Sequence, residues 1–234
     1  MLKSDLHIHT KEDPMDGNHI EYSAKELISK AAEKGYDVIS ITNHDSVFYN
    51  KELKDYAAKK GILLVPGIEK TIKRKHVLLY NITQEEADKI KTLQDLKQIK
   101  RKNTLIIAAH PFFPLIGLKR KLIKSINLFD GIEYSSFCHK LINFNKKAVK
   151  TAKRYNKPLV GNSDLHNICV FGKTHSLIDS KKNINSVINA IKNNDVKYIS
   201  KYLNFLFFIK RSSAVIYRGV KWRIETLLFR RLVS

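Results

Sequence analysis

The 234-residue sequence predicts an α/β fold with a mainly parallel sheet or barrel. Two observations carry that prediction. Short, β-branched apolar runs alternate with amphipathic helical patterns along the first 180 residues. The polar residues best suited to chemistry recur at the carboxyl ends of those runs, where open sheets and barrels build their sites.

The elements follow in order. LKSDLHIH reads as the first strand. In YSAKELISKAAEKG, Ala24, Leu27, Ile28, Ala31 and Ala32 make an apolar stripe at helical spacing, with Ser23 as N-cap, Glu26 three residues on and Gly35 as stop. YDVISITNHD is a second strand, KELKDYAAKKG a second helix, and ILLVPGIE a third strand. HVLLYNI, TLIIAAHP, FDGIEYS and KPLVGNSDLH supply four more strands, with helical patterns at 84–101 and 140–155. Only KTIKRK separates Glu69 from His76, too short for a helical crossover, so those two runs should form a hairpin.

Composition bounds the class. Hydrophobic residues make up 43% of the chain, enough for a core, and no apolar run approaches a membrane span. The charged N-terminus does not resemble a signal peptide, and two cysteines are too few for a disulfide framework, so a cytoplasmic protein is expected. Net charge is +21, with twelve Lys/Arg against two acids from residue 181 onward. Such a balance favours phosphate-rich partners. We divide the chain into a main domain, 1–194, and a basic amphipathic extension, 195–234. Within the extension, YLNFLFFI is a buried strand or half a helix. From Ala214, Ile216, Val220, Ile224, Leu227 and Leu228 recur at helical spacing, while Arg218, Lys221, Arg223, Arg230 and Arg231 line the polar side. Packing on the domain, an anionic membrane and nucleic acid compete as its use, and we expect affinity for a polyanion without a part in the chemistry.

Candidate ligands come from six segments. In DLHIHT, strand alternation puts Asp5, His7 and His9 on one face. His44 closes ITNHD, Glu69 closes PGIE, His110 closes IIAAHP, and Asp164 and His166 close GNSDLH. The hairpin returns His76 to the same rim. Each alone is explained by a polar strand end. Eight imidazoles and carboxylates at one rim suit two or three Zn, Mn or Fe ions, with Glu69 as the bridging carboxylate.

In their order, DLHIHT, ITNHD, PGIE with His76, AAHP and GNSDLH resemble the motifs of the PHP (polymerase and histidinol phosphatase) family over about residues 1–178. The resemblance implies a distorted (β/α)7 TIM-like barrel with a trinuclear metal centre, usually hydrolysing phosphoesters. It implies His7, His9, Glu69 and Asp164 at one metal, Glu69, His76 and His110 at a second, and His44 with His166 at a third. The loop KEDPMDG completes the third, with Asp13 preferred over Asp16 or His19. Asn43 departs from the family's more usual Asp. Cys138 and His139 lie where some relatives supply a cysteine ligand, and a buried structural cysteine is expected instead. The resemblance further implies a water activated by the cluster, with His44, Asp164 and His166 as catalytic residues and an imidazole protonating the leaving group if unligated. Lys119 and Arg120, in PFFPLIGLKRKLIK, either clamp the substrate phosphate or form a basic helix covering the barrel. Lys173 and His175 face either substrate or solvent. An amidohydrolase-type enzyme and a non-catalytic nucleic-acid-binding subunit are the alternative readings.

Overall fold

The computed structural model describes residues 1–217 and 220. Its strands form two five-stranded sheets. The first has the order β10 (Val196–Ser200), β9 (Thr174–Ile178), β1 (Leu2–Ile8), β2 (Val38–Ile41), β3 (Leu63–Leu64). The second runs β4 (Gly67–Ile72), β5 (Lys75–Tyr80), β6 (Leu105–Ala108), β7 (Gly131–Ser135), β8 (Leu159–Asn162). The β1–β2–β3 and β6–β7–β8 pairings are parallel, whereas β4–β5, β5–β6, β1–β9 and β9–β10 are antiparallel.

The α/β class is as predicted, but the ladders do not close into a barrel. Among the described residues the two ladders are joined by isolated bridges, Ile8 with Leu165 and His44 with Glu69. The predicted run ILLVPGIE divides into β3 and β4 at Val65 and Pro66, because proline has no N–H to give a ladder. Gly67 then permits close approach: a Cβ there would lie 2.3 Å from Ser40 Oγ of β2.

Three apolar layers hold the sheets. Leu6, Val38, Leu78, Tyr80, Leu105, Ile107 and Val160 fill the space between them, with Val187, Ile188 and Ile191 of α7 (Ile184–Lys192). On the outer face of the first sheet, Ile39 and Ile41 pack under α1 (Ala24–Glu33) and α2 (Lys51–Lys59). On the second, Ile68, Leu79, Ile106 and Ile132 pack under α3 (Gln84–Lys89), α4 (Leu96–Ile99), α5 (Arg120–Lys124) and α6 (Lys146–Arg154). The predicted helix at 84–101 is two helices, since the Asp95 carboxylate accepts from Lys91 N and Thr92 N and starts a new segment. The one predicted at 140–155 begins only at Lys146, because Asn145 turns its amide to the Ser135 backbone.

The extension predicted from residue 195 begins as part of the sheet, with β10 pairing along β9 from Val196 to Ser200. Residues 205–217 are helical. The buried positions are Leu203, Phe208 and Ser212, whereas Ala214 and Val220 of the predicted stripe are exposed. Ile224, Leu227, Leu228 and the basic residues Arg218, Lys221, Arg223, Arg230 and Arg231 lie outside the described residues. No helix among the described residues is long and apolar enough to cross a membrane.

Candidate metal centre

The rim is built from strand ends. His7 comes from β1 and His9 directly follows it, His44 comes from the loop after β2, Glu69 from β4, His76 from β5, and His110 from the loop after β6. Asp164 and His166 follow β8. The β4–β5 hairpin is the one predicted, turning at Lys73 and Arg74, both in the left-handed region that a two-residue hairpin demands. His110 and Asp164 also have positive φ, 23° and 50°, strain of the kind that concentrates at functional sites.

Glu69 is the hub. His7 Nε2, His76 Nδ1 and His110 Nε2 face its Oε1 at 3.3, 2.9 and 3.0 Å. His9 Nε2 and His44 Nε2 face Oε2 at 3.3 and 3.0 Å. Asp164 Oδ1 lies 3.5 Å from His7 Nε2, 3.6 Å from His9 Nε2 and 3.3 Å from His166 Nδ1. Ligand atoms within 4.8 Å of one another define four overlapping triads: His7–His9–Asp164, His7–Glu69–His110, His44–Glu69–His76 and His9–His44–His166.

This donor set fits divalent metal ions. His7 Nε2 and His9 Nε2 are 3.1 Å apart, two lone-pair donors that can share at most one proton. A tetrahedral ion with ligand bonds of ~2.1 Å separates its donors by roughly 3.4 Å, the spacing seen here.

Behind the donors lies a carboxylate layer. Glu133, fully buried on β7, accepts from His7 Nδ1 at 2.8 Å, from Asn162 Nδ2 at 3.0 Å and from His110 N at 2.6 Å. It therefore fixes the His7 tautomer and the His110 backbone together. Sequence analysis missed it, and a lone acid inside FDGIEYS is its only trace. Asp13 Oδ2 accepts from His9 Nδ1 at 2.7 Å and from His44 N and Nδ1 at 2.8 and 3.0 Å. It belongs to none of the four triads and holds His9 and His44 through their Nδ1 atoms and the His44 backbone. Asp16 instead reaches the open side, its Oδ2 3.1 Å from His166 Nε2. His19 is exposed.

Charge follows the geometry. Burial opposes ionisation of Glu69 and Asp164, yet the surrounding imidazoles hold both well below the usual carboxylate range. Burial likewise opposes charge on His7, His44, His110 and His166, but the adjacent carboxylates raise all four above the usual imidazole range. For His9 and His76 burial wins and lowers them.

Asp5 does not join this group. The β1–β2 register shifts between Asp5 and Ile8, and the Asp5 carboxylate accepts from Ser163 N and His7 N. Asn43 accepts from Thr10 N and so holds the loop after His9. Cys138 is buried with Sγ 3.3 Å from Ser200 Oγ, outside every triad, and His139 lies against Phe205.

A cavity of about 250 Å³ opens onto the centre, lined by Asp16, Arg74, Ile116 and Val215 beside the ligands. Lys119 and Arg120 are not part of its lining. With Lys146, Lys147, Phe112 and Phe144 they border a separate groove of about 640 Å³. Lys173 is exposed, and His175 turns its ring edge to Tyr36.

The PHP domain model matches residues 5–194. The protein MJ1587 of Methanocaldococcus jannaschii is 25% identical over 146 residues, 59% of this chain and 84% of its own. PsfC of Pseudomonas syringae PB-5123 superposes with a TM-score of 0.57 at 14% identity, covering 97% of this chain and 100% of PsfC. A Bifidobacterium adolescentis protein proposed to be a metal-dependent phosphoesterase gives 0.55 at 14% identity, over 70% of this chain and 87% of its own. An amidohydrolase of Chromobacterium violaceum gives 0.51 at 17%, over the same shares.

Proposed function

The chain belongs to the PHP domain family, and from that premise we propose that it is a metal-dependent phosphoesterase. The observation that carries the reading is Glu69, a buried carboxylate faced on both oxygens by five imidazoles from four segments of chain.

His7, His9 and Asp164 would hold one ion, and Glu69 with His110, His44 and His76 would hold others. Bound divalent ions supply Lewis acidity that activates water at neutral pH and offsets charge on phosphoryl oxygens. The chain's own residues do the rest. Arg74, at the hairpin tip, gives the cavity a fixed guanidinium suited to a phosphate oxygen. His166 lines the mouth, its proton held toward Asp16, and is placed to protonate a leaving oxygen. Ile116 and Val215 exclude water on the apolar side. An amidohydrolase with a lysine among its ligands gains no support, since Lys70, buried beside Glu69, is paired with Asp45 at 2.9 Å.

Beside the tail, the groove of Lys119, Arg120, Lys146 and Lys147 offers a second surface for a polyanion. Its cations and two phenyl rings suit the continuation of a nucleic-acid strand beyond the scissile phosphate.

The deciding experiment loads the full chain with Zn, Mn or Fe and assays p-nitrophenyl phosphate, its bis-ester and a p-nitroanilide. Chelator-sensitive ester hydrolysis is expected. Amide hydrolysis without ester hydrolysis overturns the proposal, and a chain that takes up no metal overturns it with the alternative enzyme reading as well.

A further inference from the structure

The segment beyond the family domain enters the metal centre. On the helix over 205–217, Phe208, Arg211, Ser212 and Val215 share one face at i, i+3, i+4 and i+7. Phe208 and Ser212 are buried, and Val215 reaches the cavity wall. Leu203 and Phe208 join the core cluster under α1, and the Phe208 ring lies 5.9 Å from that of Phe144. The face is therefore docked.

Its one charged member, Arg211, is aimed inward. The side chain is only 10% exposed and its guanidinium carbon lies 4.1 Å from the Phe137 ring centroid. Nη2 donates to Ser163 O at 3.0 Å and to Asp164 O, and Nη1 donates to Ser136 Oγ. The same Nη2 is 3.8 Å from Asp164 Oδ2. Asp164 thus divides its carboxylate: Oδ1 faces His7, His9 and His166, while Oδ2 faces the guanidinium. Its backbone has φ 50°, a conformation that non-glycine residues hold only when surrounding bonds enforce it. The fork of Arg211 holds the two consecutive carbonyls, Ser163 O and Asp164 O, that bracket that residue's N–Cα bond. A solvent-facing role for Arg211 would require none of these contacts.

We infer that Arg211 is a positioning residue: its planar fork fixes the backbone and the rear oxygen of Asp164 so that the front oxygen stays on the metal. The helix that carries it is then part of the centre, although it lies outside the segment that defines the family. The inference rests on the metal-hydrolase reading for its catalytic consequence but not for its geometry. Lysine cannot replace the fork, because one ammonium cannot occupy both the Nη2 position at the two carbonyls and the Nη1 position at Ser136 Oγ.

Full-length Arg211→Met, Arg211→Lys and Phe208→Ala, loaded with Co(II), test it through their visible absorption spectra and Co(II) affinity by calorimetry. Arg211→Met should change the cobalt spectrum and weaken Co(II) by about 10–100-fold, the usual cost of losing a group that orients a ligand. With p-nitrophenyl phosphates kcat should fall while KM stays within about threefold, and guanidinium ion added to Arg211→Met should restore part of both readouts. Phe208→Ala should lower the melting temperature and leave the cobalt spectrum alone. A wild-type spectrum and affinity in Arg211→Met overturn the inference. A Phe208→Ala spectrum matching that of Arg211→Met does so too, by making Arg211 a helix anchor. If Arg211→Met does not fold, Arg211→Lys is judged instead, and a wild-type spectrum there is equally fatal. If wild type hydrolyses no phosphoester, the proposed function fails, while the cobalt measurement still decides the role of Arg211.

Discussion

Glu69 and Asp5 are equally buried carboxylates, at 1% and 0% exposure, on two sides of the same centre. Glu69 is surrounded by imidazoles, which hold it well below the usual range despite its burial. Asp5 accepts two backbone N–H groups, leaves Oδ2 without a partner, and is pushed up by burial to about 7. Burial is the same, so the partners decide. A carboxylate walled in by lone-pair donors suits cations, whereas one in which burial outweighs its few hydrogen bonds is a structural acid near its titration point.

The comparison breaks most severely at Glu69. Glu69→Gln should lose more than one metal ion per chain, measured by elemental analysis, because a bridge serves two triads. In metal-free protein it should also destabilise by roughly 3–5 kcal/mol in denaturant unfolding, the cost of orphaning one side of a buried charge cluster. Loss of a single ion would mean that Glu69 does not bridge.

Glu133→Gln tests the layer behind. One end of the new amide must present N–H₂ toward a donor, His7 Nδ1 or His110 N, so either the His7 ring or the His110 backbone loses its hold. Metal affinity should fall about 10–100-fold with the fold intact. Asp13→Asn should act more mildly, at about tenfold, because His44 keeps its place against Glu69. If Asp13→Asn instead removes a whole equivalent of metal, Asp13 is a ligand and its rear position misleads.

Asp5→Asn should have the smallest effect, and only in its pH dependence. A folded-state pKa raised to about 7 means that the stability contributed by protonated Asp5 is fully present below the unfolded value near 3.8 and lost as pH rises through about 7. Asp5→Asn should flatten that decline between pH 4 and 7 in melts of the metal-free protein. An unchanged slope would show that the decline belongs to other groups.

Much of the centre was legible because its chemistry is carried by residue type and strand position. Six histidines and two carboxylates at strand ends announce a metal site however the sheets close, and a six-residue connection forces His76 back beside Glu69. What the sequence left open has the same origin. Alternation put Asp5 with His7 and His9, but a register shift in β1 turned it away. Asp13 has the right chemistry in the right loop, yet nothing local tells a ligand from the carboxylate behind one. For Lys119 and Arg120 charge left a phosphate clamp and a covering helix both open, and they border a separate groove at the start of α5.

The sequence by itself therefore determined the α/β class, the identity of the converging donors and the hairpin that completes them. Ligand types and the spacing of short elements are local properties. Only the tertiary structure decided that the sheets stay open, that Glu133 stands behind His7 across 126 residues of chain, and that Arg211 reaches Asp164 across 47. A hydrogen bond between residues so far apart leaves no periodic mark in either segment. Which acid orients a ligand, and which cation turns inward, is settled when the layers pack and each buried polar group must find a partner.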